Sequence, residues 1–212
     1  MRRTGRIRVA TIDSGVNPSH PHVAPIAGGV RITANAVDDY YTDFLGHGTA
    51  VAGAIREKAP SVDIYAVKVF DRALATTGTI LLRALDWCLD SGMDFVNLSL
   101  GTLNSSYLQA FQERILRARE LHCTIVAAYE IDGQPALPGC IAGVIGVVLA
   151  DKCPRDRYMR HRKKGRIVYS ASGYPRDIPG VPPEYNLQGI SFAVANVTGF
   201  LAAEAASPCT GK

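Results

Sequence analysis

A carboxylate, an imidazole and a hydroxyl stand out in this chain, each held in a short run that fixes its place at the edge of an element. The runs are Ile12-Asp13-Ser14-Gly15, Gly46-His47-Gly48-Thr49 and Gly189-Ile190-Ser191-Phe192-Ala193. Brought together, such groups perform nucleophilic acyl transfer. The hydroxyl attacks a carbonyl, the imidazole takes and returns its proton, and the carboxylate fixes the imidazole tautomer. The local grammar suits each role. Arg8-Val9-Ala10-Thr11-Ile12 reads as a buried strand ending at Asp13, with Gly15 allowing the turn that follows. His47 opens the helix-like run 49–55, and Ser191 opens another over 192–197. A hydroxyl at a helix N-terminus has the positive end of the dipole and a free backbone N–H beside it, where an oxyanion would form. Taken singly, Asp13 could be a turn former, His47 a core histidine and Ser191 a helix cap. Their joint occurrence carries the argument.

The order acid, imidazole, hydroxyl resembles that of the subtilases, the subtilisin-like serine peptidases; other triad folds run in different orders. Further segments extend the resemblance over nearly the whole chain. Ile64-Tyr65-Ala66-Val67-Lys68-Val69-Phe70 looks like the central strand of that family. Phe95-Val96-Asn97-Leu98-Ser99-Leu100-Gly101 is similar to its substrate-lining strand. The resemblance implies a three-layer αβα fold with a mostly parallel, doubly wound sheet, in one catalytic domain spanning 1–212. It implies catalytic roles for Asp13, His47 and Ser191. An extended peptide substrate would lie along Ser99, Leu100 and Gly101, with Leu100, Ala127 and Ala128 walling the pocket for the residue before the scissile bond. Phe192, next to the nucleophile, is expected to narrow the cleft.

Two departures bear on activity. The family places an Asn side chain in the oxyanion hole, within a run of the type Ala-Ala-Gly-Asn. Here the run is Val126-Ala127-Ala128-Tyr129-Glu130-Ile131-Asp132-Gly133. A gapless alignment puts Ile131 at that place, and sliding by one gives Glu130 or Asp132. An isoleucine donates nothing, and a carboxylate repels the developing charge. Loss of such a donor costs about 10²–10³ in turnover. The Ser191 backbone N–H would remain, and Asn97, Asn196 and Thr198 are the candidate replacement donors. The second departure is Ala195, where the family has a proline; alanine is the best helix former, so the helix should persist.

Composition bounds the rest. The 212 residues are 47% hydrophobic with a net charge of +4, enough for one good core. No apolar stretch approaches the ~18 residues of a membrane span. The five cysteines, Cys88, Cys123, Cys140, Cys153 and Cys209, show no CxxC spacing and read as free thiols in a reducing compartment. No secretory signal or pro-segment is visible, so a cytoplasmic protein is expected. No cofactor is implied, no metal-ligand spacing occurs, and no acidic Gly-rich loop signals an obligatory calcium.

Stepping along the chain, strands are predicted at 7–12, 62–69, 94–100, 123–128, 143–149 and 166–171. Helices are predicted at 47–58, 79–91, 105–121 and 191–206. Ile80, Leu81, Ala84, Leu85, Cys88 and Leu89 form an apolar stripe at helical spacing, as do Leu108, Phe111, Ile115 and Leu116. Near-continuous apolar strands such as 144–149 suit a parallel sheet covered on both faces. His20 and His22 fall in the loop after Asp13 and are read as solvated or at the cleft edge. The segment 155–166 holds seven Arg or Lys residues and one acid. It reads as a solvated loop, with docking of an acidic partner as the alternative; no nucleic-acid module accompanies it. Two functions follow. One is a serine endopeptidase, specialised for peptide processing. The other is a catalytically impaired pseudo-peptidase that binds extended peptides.

Overall fold

Alternation along the first strand sets the architecture. The computed structural model describes residues 5–207. In β1 (Arg8–Asp13), Ala10 and Ile12 turn to one core layer and Val9 to the other, with Thr11 and Asp13 on the same side as Val9. Around it a nine-stranded sheet runs β10-β11-β9-β6-β5-β1-β4-β2-β3. The parallel strands are β2 (Gly28–Ile32), β4 (Asp63–Lys68), β1, β5 (Phe95–Leu98), β6 (Thr124–Ala128), β9 (Ile145–Leu149) and β11 (Arg166–Ala171). Short antiparallel strands close the two edges: β3 (Val37–Asp38) on β2 and β10 (Tyr158–Lys163) on β11. A separate two-stranded hairpin pairs β7 (Glu130–Ile131) with β8 (Gln134–Pro135).

Helices cover both faces, so the fold is the three-layer α/β arrangement that the sequence predicts. α2 (Gly78–Asp90) and α3 (Leu108–Glu120) bury Leu81, Leu85, Phe111 and Ile115 against Ile12, Leu98 and Ile125. α1 (His47–Lys58) and α4 (Ile190–Ala206) bury Val51, Ile55, Phe192 and Val197 against Val9, Ile64 and Val126. The chain lays β4 on one side of β1 and then returns to lay β5 on the other. Sheets of this kind bind ligands beyond the carboxyl ends of the strands at such a reversal. Asp13 ends β1 at that point, and Ser99 follows β5 directly.

All six predicted strands and four predicted helices are present, with ends shifted by no more than three residues. The loop reading of 155–166 is corrected: residues 158–163 form edge strand β10. Its polar residues hide any period-2 signal, but Tyr158 stacks on Tyr169 at 5.5 Å and lies 5.8 Å from Phe200. Lys164 and Gly165, both at positive φ, make the two-residue turn into β11. Cys88, Cys123, Cys140 and Cys153 are free thiols, and burial raises the pKa of each; Cys209 lies outside the described residues. Among the described residues no helix is long and apolar enough to cross a membrane.

Candidate active site

Asp13 is fully buried at the end of β1, and the first residue of α1 is set directly against it. His47 Nδ1 lies 2.7 Å from Asp13 Oδ1, which also accepts the Ser14 backbone N–H at 2.8 Å. With Nδ1–H donating to the carboxylate, Nε2 keeps its lone pair. Burial alone would pull the imidazole pKa down. The hydrogen bond and charge of Asp13, with the charge of Asp43, outweigh burial and hold it above the ordinary 6.5.

The glycines around His47 have separate reasons. Gly46 caps α1 at φ 77°, a left-handed backbone that L side chains rarely adopt. A Cβ on Gly48 would stand 2.1 Å from the Gly15 carbonyl oxygen, a backbone atom that cannot give way. Only glycine lets the start of α1 approach the turn after β1 this closely.

Asp43 escaped the sequence reading, yet it organises this corner. Its Oδ1 accepts from Ser14 Oγ at 2.9 Å and from the Leu45 and Gly46 backbone N–H groups at 2.9 and 3.0 Å. Its Oδ2 accepts from Thr49 N at 2.9 Å and Thr49 Oγ1 at 2.7 Å. Ser14 Oγ in turn accepts the Gly48 N–H at 2.9 Å. The signal was legible: an aspartate two to three residues before a glycine is a turn signature, because its side chain bonds the backbone ahead of it. Lys68, paired in register with Asp13, adds a second tie. Its side chain is 1% exposed, donates to Thr42 O at 2.7 Å and lies under the Phe44 ring at 4.6 Å.

Ser191 sits in the first turn of α4, where backbone N–H groups lack intrahelical partners. Its hydroxyl donates to the Ser99 carbonyl oxygen at 3.0 Å. Phe192 does not narrow the cleft: it is fully buried, with its ring 5.3 Å from that of His47. The helical turn directs the residue after Ser191 into the core, so Phe192 packs against the imidazole. Ala195 lies within an unbroken α4.

Of the remaining sequence-nominated residues, Ser99 is the one bonded to Ser191 among the described residues. Ser99 is buried, and its Oγ accepts from Asn97 Nδ2 at 2.7 Å. Next to Gly101, Thr102 pairs with Leu137 through two 2.9 Å backbone bonds. Ala127 and Ala128 end β6 fully buried, one in each core layer. Ile131 is half-buried in β7, its Cδ1 3.7 Å from where a Cβ on Gly101 would stand. Glu130 is ion-paired with Lys163 of β10, and Asp132 with Gly133, both at positive φ, forms the β7–β8 turn. The three candidate replacement donors are committed elsewhere. Asn97 Oδ1 accepts from Thr198 Oγ1 at 2.9 Å, tying β5 to α4. Asn196 Nδ2 donates to the Ser172 and Tyr174 carbonyls at 3.0 Å each. His20 and His22 are half-buried, edge to face with centroids 5.0 Å apart, and line a cavity beside α1.

A doubly wound sheet with a buried Asp–His pair at its reversal point, and a serine opening the neighbouring helix, makes this an α/β protein with its candidate site at the strand ends. The sequence matches the subtilase family (Peptidase_S8) over residues 5–205, and the chain belongs to that family. The minor extracellular protease Epr of Bacillus subtilis (strain 168) is 39% identical over 141 residues, covering 62% of this chain and 21% of that protein. Subtilisin-like protease 3 of Arthroderma benhamiae is 30% identical over 141 residues, covering 61% of this chain and 34% of its own. The match thus spans about a third or less of either curated relative. Among solved structures, the prenylagaramide maturation protease PagA superposes with a TM-score of 0.70 at 26% identity, covering 93% of this chain and 74% of that one. A lanthipeptide protease superposes at 0.73 with 20% identity, covering 94% and 73%, a likeness of fold.

Proposed function

We propose that this chain is a serine endopeptidase that processes peptides, acting as one catalytic unit through Asp13, His47 and Ser191. The observation that carries the reading is the 2.7 Å bond from His47 to a fully buried Asp13 carboxylate, which leaves Nε2 as a base. Ser191 Oγ attacks the peptide carbonyl, His47 takes its proton and passes it to the leaving amine, and Asp13 stabilises the imidazolium. The acyl side of an extended substrate pairs with Ser99–Gly101 by main-chain hydrogen bonds. Its N–H groups compete for the Ser99 carbonyl, which frees the Ser191 hydroxyl to turn to His47; such bonds commonly tighten only when substrate is bound. The Ser191 backbone N–H serves the oxyanion. Similarity to a maturation protease supports a processing role, and the buried free thiols suit a reducing, cytoplasmic setting.

One observation favours a second reading, a peptide-binding pseudo-peptidase: Asn97, Asn196 and Thr198 are all bonded elsewhere, and Ile131 offers no donor. Incubation with a fluorophosphonate probe separates the two. Covalent mass addition at Ser191, lost in Ser191→Ala and His47→Ala, supports the peptidase. Absence of labelling in folded protein sinks it and leaves the peptide-binding groove.

A further inference from the structure

The described residues line an open cleft of about 840 Å³ that the reaction above does not use. That is near the upper end of the range for ligand sites. Gly46, Thr49 and Ala50, on either side of His47, form one wall, and Asn186 and Leu187, just ahead of Ser191, form part of another. None of its lining residues comes from 99–101 or 127–131, where the acyl half of a substrate would lie. His47 hands its proton to the leaving amine, so a cavity on the His47 side faces the part of the substrate beyond the scissile bond.

The lining has a definite chemistry. Arg176, His20 and His22 supply cationic or potentially cationic groups. Among the described residues no carboxylate lies within ion-pair distance of Arg176, whereas the neighbouring Arg155 pairs with both Glu57 and Asp177. The one acid in the lining, Asp43, has its two oxygens turned to five donors from its own loop, the turn after β1 and the start of α1. Burial first, then the charges of Arg176 and His20, lower the His22 pKa against the pull of Glu57. Around the mouth stand Phe44, Ile178, Tyr185 and Leu187, exposed by 61, 44, 79 and 49%. Exposed apolar clusters of this kind around a concavity mark binding surfaces.

We propose that this cavity is a recognition pocket for the leaving segment of the substrate, and that it takes a carboxylate beside an apolar side chain, with Arg176 as the ion-pairing residue. The proposal rests on the peptidase reading for its direction, but its chemistry can be tested without turnover. Arg176 ties the loop through its backbone carbonyl, which accepts Asn186 Nδ2 at 3.2 Å, so Arg176→Gln leaves that tie intact.

The probes are product-like peptides with a free N-terminus, Ala-Leu-Glu-Gly and Ala-Glu-Leu-Gly, with their Glu→Gln twins, each carrying a C-terminal fluorophore. Anisotropy is read with the full-length protein. At least one acidic peptide is expected to bind about tenfold more tightly than its twin, a difference of ~1.4 kcal/mol. The preference should shrink with added salt and vanish in Arg176→Gln. Equal binding of the twins, no binding of any peptide, or a preference that survives Arg176→Gln overturns the proposal. Fluorophosphonate labelling of the same samples reports the other reading separately. Labelling without a peptide preference sinks the pocket alone, and a preference without labelling sinks the peptidase and the pocket's direction while its carboxylate chemistry stands.

Discussion

At the residue scale, the Asp13–His47 bond makes a prediction in pH. A general base must be neutral to accept a proton, so the rate of Ser191 labelling should fall as pH drops through the His47 pKa. Because that value is raised above 6.5, the midpoint should lie above 6.5. Asp13→Asn removes the main group that raises it and leaves burial, which lowers it, opposed by the charge of Asp43 alone. The midpoint should then move down, and the plateau rate should fall by about 10⁴ because the tautomer is no longer fixed. A pH profile of labelling in both proteins checks this; an unmoved midpoint would separate Asp13 from His47 chemistry. A second residue-scale expectation concerns the oxyanion donor. Ile131 reaches the strand beside Gly101, so Ile131→Asn should raise the labelling rate, by up to about 10² if the new amide meets the oxyanion. No gain on stopped-flow labelling would put the hole at another residue. The two pieces of the site differed in legibility. Asp13, His47 and Ser191 each sat in a run whose glycines and helix start could be read. The pairing of Glu130 with Lys163, 33 residues on in an unrecognised strand, could not.

At the scale of elements, His47 and Ser191 are carried by two helices packed on each other, and the contact depends on a glycine. A Cβ on Gly199 of α4 would meet Lys58 Cβ at 2.8 Å and the Ile55 backbone at 3.2 Å in α1. Gly199→Ala should therefore force the helices apart, costing about 1–3 kcal/mol. Denaturant melts should register the loss. Labelling of the molecules that remain folded should also slow, since the His47–Ser191 geometry rides on this contact; unchanged rates would mean that the sheet alone sets it. Helices α1 to α4 were legible because their apolar patterning is local. Strands β2 and β10 were not, because Gly28-Gly29 in one and Arg160-His161-Arg162 in the other carry no apolar alternation. Their pairing is decided by neighbours distant in sequence, which no window along the chain contains.

For the molecule as a whole, the sheet divides structure from chemistry. The α1/α4 layer holds His47 and Ser191, whereas α2 and α3 on the other face carry none of the three triad candidates. Phe111→Ala, in the second layer, should cost about 3–5 kcal/mol of stability. Per folded molecule it should leave the labelling rate unchanged, as measured by active-site titration alongside a thermal melt. A matching loss of rate would mean that strain crosses the sheet. The sheet's two ends carry a different consequence. An open edge is a template on which other chains can grow. Here β3 offers only two residues, while β10 presents Arg160, His161 and Arg162. A second copy laid against β10 would bring arginines face to face, and like charges across strands repel. The basic segment thus works as an electrical stop against fibre growth. That protection should weaken as salt shortens the screening length to about 3 Å near 1 M. Light scattering should stay flat in dilute buffer and rise with ionic strength, and it should rise even in dilute buffer once Arg160 and Arg162 are replaced by serine.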